Sequence, residues 1–231
     1  MTDKLDKTVR VWDAPVRLFH WTLVILLATS YFSGRAGGDW MKLHFWSGYA
    51  ILTLLLFRIA WGFVGSTTAR FSHFVRGPAA WFVYLKNFAT GRPTYDVGHN
   101  PVGGIMVLVL IFAVLAQAVA GLFSADTDLG TINGPLATSI ADKWVDRFTS
   151  FHHFWVNVIL CLVAVHVLAS IIYLVWKRQN LVGAMFTGRK PAGEVAEAGK
   201  PAPTLAFASG RLAISLLIAA AAIVYFCLRL G

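Results

Sequence analysis

Five long apolar stretches constrain this chain more than any other feature: about Val16 to Ser33, Leu43 to Val64, Val102 to Ser124, Phe151 to Trp176 and Leu205 to Leu228. A helix needs roughly 20 residues to cross the hydrocarbon core of a bilayer, and there it must satisfy its backbone polar groups internally. Five such stretches in 231 residues, 57% of them hydrophobic and 13% charged, lie outside the range of soluble folds. The expected fold is all-α and membrane-embedded. Its expected organisation is an N-terminal segment over 1–15, a four-helix transmembrane core over 16–180, a linker over 181–204 and a fifth transmembrane helix over 205–231. Within the core, helices are expected at about 16–33, 43–64, 102–124 and 151–176.

The net charge of +9 does not point to nucleic acid, because the basic residues are spread over short connections rather than gathered in a soluble domain. Lys4, Lys7, Arg10 and Arg17 lie at the N-terminus, Arg70, Arg76, Lys86 and Arg92 in the second connection, and Lys177, Arg178, Arg189, Lys190 and Lys200 in the fourth. The first connection has only Arg35 and Lys42, and the third sets Lys143 and Arg147 among Asp126, Asp128, Asp142 and Asp146. By the positive-inside rule the N-terminus is cytoplasmic, and five spans then carry the C-terminus outside. A cleaved signal peptide is the competing reading of the first span, but His20-Trp21 interrupts its apolar run and favours retention. Cys161 and Cys227 fall within spans and no Cys-x-x-Cys-His occurs, which argues against a disulfide framework and excludes covalent c-type haem attachment.

The second connection holds a short apolar and aromatic run, Ala79 to Leu85. It reads either as a helix at the cytoplasmic interface, with Trp81 and Tyr84 in the headgroup zone and Lys86 and Arg92 meeting anionic lipid, or as a solvated loop packed on the bundle. Gly188 to Pro203, rich in Gly, Pro, Ala and Lys, reads as a flexible linker. Span five carries no histidine, and its Ala219 to Ala222 run allows close packing of an accessory helix.

Five of the seven histidines, His20, His44, His152, His153 and His166, fall within spans, where an ionisable side chain is costly and is a functional candidate by default. His152 and His166 are 14 residues apart, which in a helix leaves them about 40° from alignment on one face and about 21 Å apart along the axis. One helix can therefore serve two cofactors at different depths. His153, 13 residues from His166, points about 140° away, so His152 is the chosen ligand. Span one runs outward with His20 near its cytoplasmic start; spans two and four run inward from His44 and His152. The matched pairs are His20 with His166 and His44 with His152.

Zinc wants about four closely placed ligands, and the cysteines are not placed to join in, so two isolated histidine pairs suit two b-type haems better. A helical bundle can bury such a macrocycle and supply its axial ligands from facing side chains. Arg10, Arg17 and His99 on the inside, or Lys42 outside, are candidates to meet haem propionates or a quinone, and each could equally anchor lipid.

These motifs resemble the bacterial cytochrome b-561 family, which includes the cytochrome b subunits of nickel-iron hydrogenases. The resemblance is carried by Leu18-Phe19-His20-Trp21, Lys42-Leu43-His44-Phe45-Trp46-Ser47-Gly48, Phe151-His152-His153-Phe154-Trp155-Val156-Asn157, His166, and Gly98-His99-Asn100-Pro101-Val102-Gly103-Gly104. It covers about residues 8–188 and leaves span five outside. The resemblance implies two haem b groups on His20, His44, His152 and His166, exchange of electrons with quinone, and a place in the bacterial inner membrane. It also implies a periplasmic partner, either a c-type cytochrome or a dehydrogenase or hydrogenase subunit. A second copy of the chain is a further candidate partner.

The expected function is electron transfer between the quinone pool and that partner. A superoxide:quinone oxidoreductase is the related alternative. A haem-free transporter or an anchor subunit is the alternative of another class, although a proton-coupled transporter would be expected to place carboxylates beside its histidines, and the span interiors have none.

Overall fold

The computed structural model describes residues 8–92, 94–125, 133–197, 200–201 and 203–229. Lys4, Lys7, Pro93, Asp126 and Asp128 lie outside the described residues. In chain order the elements are β1 (Thr8–Arg10), α1 (Ala14–Ala36), α2 (Met41–Val64), α3 (Phe71–Phe74), α4 (Pro78–Ala89), α5 (Pro101–Leu122), α6 (Asp142–Val175), α7 (Leu181–Thr187), β2 (Arg189–Pro191), α8 (Ala192–Val195) and α9 (Gly210–Leu228). Among the described residues five helices, α1, α2, α5, α6 and α9, are long and apolar enough to cross a membrane. The protein is an all-α, multi-pass membrane protein.

Among the described residues, those within 8–18, 60–109 and 165–213 form one compact unit, and those within 19–59, 110–164 and 214–229 form another. The first is organised around the start of α1. Asp13, 2% exposed, accepts a hydrogen bond from the Val16 backbone N–H on Oδ1 at 2.8 Å. That is an N-cap contact, favoured again by the positive end of the helix dipole. Its Oδ2 accepts from Trp61 Nε1 at 3.0 Å, so one buried carboxylate fixes both a helix start and a buried indole. Val11, Trp12, Ala69 and Phe74 complete that core.

β1 pairs antiparallel with β2 through Val9 and Lys190, and the N–H groups of Val11 and Trp12 donate to the Gly188 carbonyl at 2.8 and 3.1 Å. This corrects the expectation of a flexible linker over 188–203. Lys190 and Val195 are 4% and 3% exposed, and Lys190 Nζ donates to the carbonyls of Asp96 and Gly98 at 3.1 and 3.4 Å. Burial holds the Lys190 amine below its ordinary pKa, against the pull of Glu194 and Asp96. Further on, Thr67 and Ala206 exchange hydrogen bonds of 2.9 and 3.0 Å. Composition did not reveal this order because much of it comes from backbone pairing with distant segments.

In the second unit Val224 of α9 joins Leu52 of α2 and Leu122 of α5 in a buried cluster. Ala213, Ala220 and Val224 are the buried residues of α9, at the seven- and four-residue spacing of one helical stripe. The fourth expected span also differs. α6 starts at Asp142 rather than near 151 and runs 34 residues, about 51 Å, against a hydrocarbon core of about 30 Å. Its polar first turns, with Arg147 stacked 4.8 Å over Trp144, continue the helix without adding hydropathy. α4 confirms a helix in the second connection, but Tyr84 is 7% exposed and turned inward rather than toward headgroups.

Candidate functional site

His44 sits one turn into α2 and His152 a third of the way along α6, both in the second unit. Their ring centroids are 6.0 Å apart and their planes 84° apart. A metal ion held between two imidazoles sets their centres about 6 Å apart, taking about 2 Å per metal–nitrogen bond and about 1.1 Å from nitrogen to ring centre.

Both rings are oriented by backbone carbonyls of neighbouring helices. His44 Nδ1 donates to the Ser30 carbonyl of α1 at 2.8 Å, with Ser30 Oγ at 3.3 Å. His152 Nδ1 donates to the Gln117 carbonyl of α5 at 3.0 Å, and Gln117 Nε2 donates back to the His152 carbonyl at 3.0 Å. A carbonyl has no proton to give, so each Nδ1 carries the hydrogen and each Nε2 keeps its lone pair for a metal. Trp155 Nε1 adds a bond to the Ala113 carbonyl at 2.9 Å, tying α6 to α5 beside the ligand.

Two glycines make these approaches possible. A Cβ on Gly34 would stand 2.7 Å from His44 Nδ1, and one on Gly121 would stand 2.9 Å from His152 Cε1. Both helix backbones thus come into contact with the rings. His153 is exposed, with its ring 6.3 Å from that of His152.

A sequence profile described as prokaryotic cytochrome b561 matches residues 11–188. The chain belongs to the prokaryotic cytochrome b561 family. It is therefore a membrane b-type cytochrome whose chemistry is electron transport, and haem b is its cofactor. The residues at the His44–His152 pair fit that group: two imidazoles at the right separation, each with one nitrogen committed to a carbonyl.

Curated proteins similar to the chain include several named probable Ni/Fe-hydrogenase B-type cytochrome subunits. The protein of Rhizobium leguminosarum bv. viciae is 26% identical over 213 residues, covering 80% of this chain and 89% of its own length. That of Cupriavidus necator is 26% identical over 215 residues, covering 80% and 88%. That of Escherichia coli K12 is 32% identical over 132 residues, covering 44% and 54%. No solved structure matches the chain.

The other residues expected at the site are distributed differently. His20, half-buried, lies edge-on to Trp21 at 4.8 Å, and His166, half-buried, accepts a bond from Ser170 Oγ on its carbonyl at 3.1 Å. The two belong to different units. Arg17 Nη1 donates to the Phe186 carbonyl at 2.5 Å, Arg10 lies 4.2 Å over the Phe207 ring, and the His99 ring packs 4.7 Å from Trp12 and 4.8 Å from Phe74. Lys42 is exposed, two residues before His44. Among the described residues no three His, Cys, Asp or Glu side chains group to hold a metal ion, so the zinc alternative has no four-ligand site there.

Sequence reasoning left out Ser30, Gln117, Gly34, Gly121 and Arg58. Arg58 is 2% exposed inside α2 and, as a buried intramembrane charge, is a functional candidate in its own right. Its signal was a charge within an apolar stretch, which sorting charges by connection does not detect.

Proposed function

We propose that this cytochrome holds two b-type haems and carries electrons between the membrane quinone pool and a periplasmic redox partner. His44 and His152 would hold the outer haem, and His20 and His166 the inner one. The observation that carries the reading is the His44–His152 pair, 6.0 Å apart and anchored through Nδ1 on both sides. The second pair rests on the 14-residue spacing of His152 and His166 and on the resemblance of the His20 motif. Bound haem supplies one-electron exchange between ferric and ferrous iron. The chain's own residues hold the ligands rigid: Ser30 and Gln117 fix ring orientation and tautomer, and the apolar bundle excludes water. A haem held by a histidine from each side would be suited to electron transfer at its edge rather than to binding of a small molecule at iron.

The names of the relatives favour a hydrogenase as the partner over a soluble c-type cytochrome. The cytoplasmic N-terminus follows from the distribution of basic residues, and the family resemblance favours the bacterial inner membrane. The test is anaerobic addition of a short-chain quinol to the oxidised purified protein, followed through the haem absorption bands. Reduction of a large fraction of the haem is expected. Reduction by dithionite but by no quinol tried would overturn the quinone link.

A further inference from the structure

α4 presents an apolar face that the fold leaves uncovered. It begins with Pro78 at its first turn, where the fixed φ of proline suits a helix start. Its inner side carries Tyr84 and Phe88. The Phe88 ring lies 6.4 Å from that of Tyr84 and 5.8 Å from that of Tyr173, and the Tyr173 hydroxyl accepts from Asn100 Nδ2 at 2.7 Å. Tyr173 stands two residues before the end of α6, so this aromatic contact holds α4 at the end of a membrane-spanning helix.

The outer side shows Phe82, Val83 and Leu85 at 73%, 60% and 50% exposure, with Lys86 exposed among them. Phe82, Leu85, Lys86 and Ala89 fall within about 100° on the helical wheel. Large apolar side chains beside a lysine whose stem lies along them suit the boundary between acyl chains and headgroups. Charge points the same way. From Gly65 to Tyr95 the chain carries Arg70, Arg76, Lys86 and Arg92 and no Asp or Glu, and Arg76, Lys86 and Arg92 are exposed.

An open groove of about 390 Å³ runs along the helix, lined chiefly by Ala79, Ala80, Val83, Tyr84 and Pro101, with Asp96 in its wall. Burial raises the Asp96 carboxyl above its ordinary pKa, against the pull of Lys190 and a hydrogen bond with Thr94.

We propose that α4 is an in-plane membrane helix that binds anionic phospholipid, with Phe82, Val83 and Leu85 in the acyl layer and Arg76, Lys86 and Arg92 on the lipid phosphates. The inference does not depend on how many haems the chain holds or on its redox partner. The full chain, as purified with its cofactor and with Cys161→Ser and Cys227→Ser, is labelled with a nitroxide at Phe82→Cys and, separately, Val83→Cys, then reconstituted in phosphatidylglycerol/phosphatidylcholine vesicles. Both labels are expected to relax with dissolved oxygen and to be shielded from a water-soluble nickel complex. Access to nickel would put the face in water, and shielding from both reagents would put a second protein surface over it; either overturns the proposal.

Preference for spin-labelled phosphatidylglycerol over phosphatidylcholine is measured alongside. It is expected to fall at least about fivefold in the Arg76→Gln/Lys86→Gln/Arg92→Gln protein, since each basic residue at an anionic surface contributes about that factor. Should that protein not fold, the wild type is read at low and high salt, where screening has the same expected effect. Unchanged preference in the folded triple variant, or across salt in the wild type, overturns the lipid assignment.

Discussion

Gly34→Ala places a methyl group 2.7 Å from His44 Nδ1 and 3.0 Å from Cε1, where ordinary contact begins near 3.4 Å. The ring must therefore give by about 0.7 Å, or α1 must move away. Either response stretches the 2.8 Å bond from His44 Nδ1 to the Ser30 carbonyl beyond hydrogen-bonding range. The Ser30 carbonyl keeps its bond from Ser33 Oγ, but a half-buried Nδ1 donor deprived of its acceptor costs about 1–3 kcal/mol, and losing an outer-shell partner of a metal ligand weakens binding roughly 10–100-fold. The two figures agree. The assay is retention of haem by the purified protein against an excess of apomyoglobin, with low-temperature electron paramagnetic resonance resolving the ferric haems. One haem is expected to leave at least ten times faster and to change its signal, while the other keeps both its rate and its signal. Gly48→Ala, on α2 with nothing within 4 Å of the added Cβ, is the control and is expected to be neutral. Wild-type retention and spectra in Gly34→Ala would refute the close approach of α1 to the His44 ring.

Further outcomes follow from the same geometry. His44→Ala should remove the outer haem and spare the inner one, halving the haem content, whereas His153→Ala should retain both; two haems in His44→Ala would contradict the pairing. Asp13→Ala removes the cap of α1 and the acceptor of Trp61 Nε1. It should destabilise the chain by about 1–3 kcal/mol, read as a lower thermal midpoint in detergent; an unchanged midpoint would show that the carboxylate is not needed there. For Asp96, burial raises the folded pKa, so the carboxyl contributes stability below its unfolded pKa near 3.8 and loses it as pH rises through the higher folded value. Asp96→Asn should therefore be more stable than wild type at pH 7 and remove part of the decline above pH 4. A lower midpoint at pH 7 would reverse the sign of that reasoning.

The transmembrane helices were legible because each apolar stretch is long enough to cross a bilayer and needs no distant partner to form. That His44 and His152 stand close together was anticipated because each lies near the start of its apolar stretch, in spans two and four, which the expected topology runs in the same direction. What orients those rings was not. The choice of Ser30 and Gln117 as carbonyl partners depends on the register of α1 against α2 and of α5 against α6, which periodicity within one helix does not encode. Gly34 and Gly121 read simply as small residues until the rings beside them are seen. The strand of Arg189–Pro191 and the docking of Ala206 and Ala208 onto Thr67 and Ser66 were hidden because their partners are far away in sequence. The polar start of α6 escaped a search based on hydropathy, since Asp142 to Ser150 extend the helix without lengthening its apolar stretch.

The most direct test of the central claim is pyridine haemochrome quantitation of detergent-purified protein, together with oxidised and dithionite-reduced visible spectra. The account expects two b-type haems per chain. One haem per chain would contradict the two-pair arrangement, and none in folded protein would contradict the assignment of these histidines altogether.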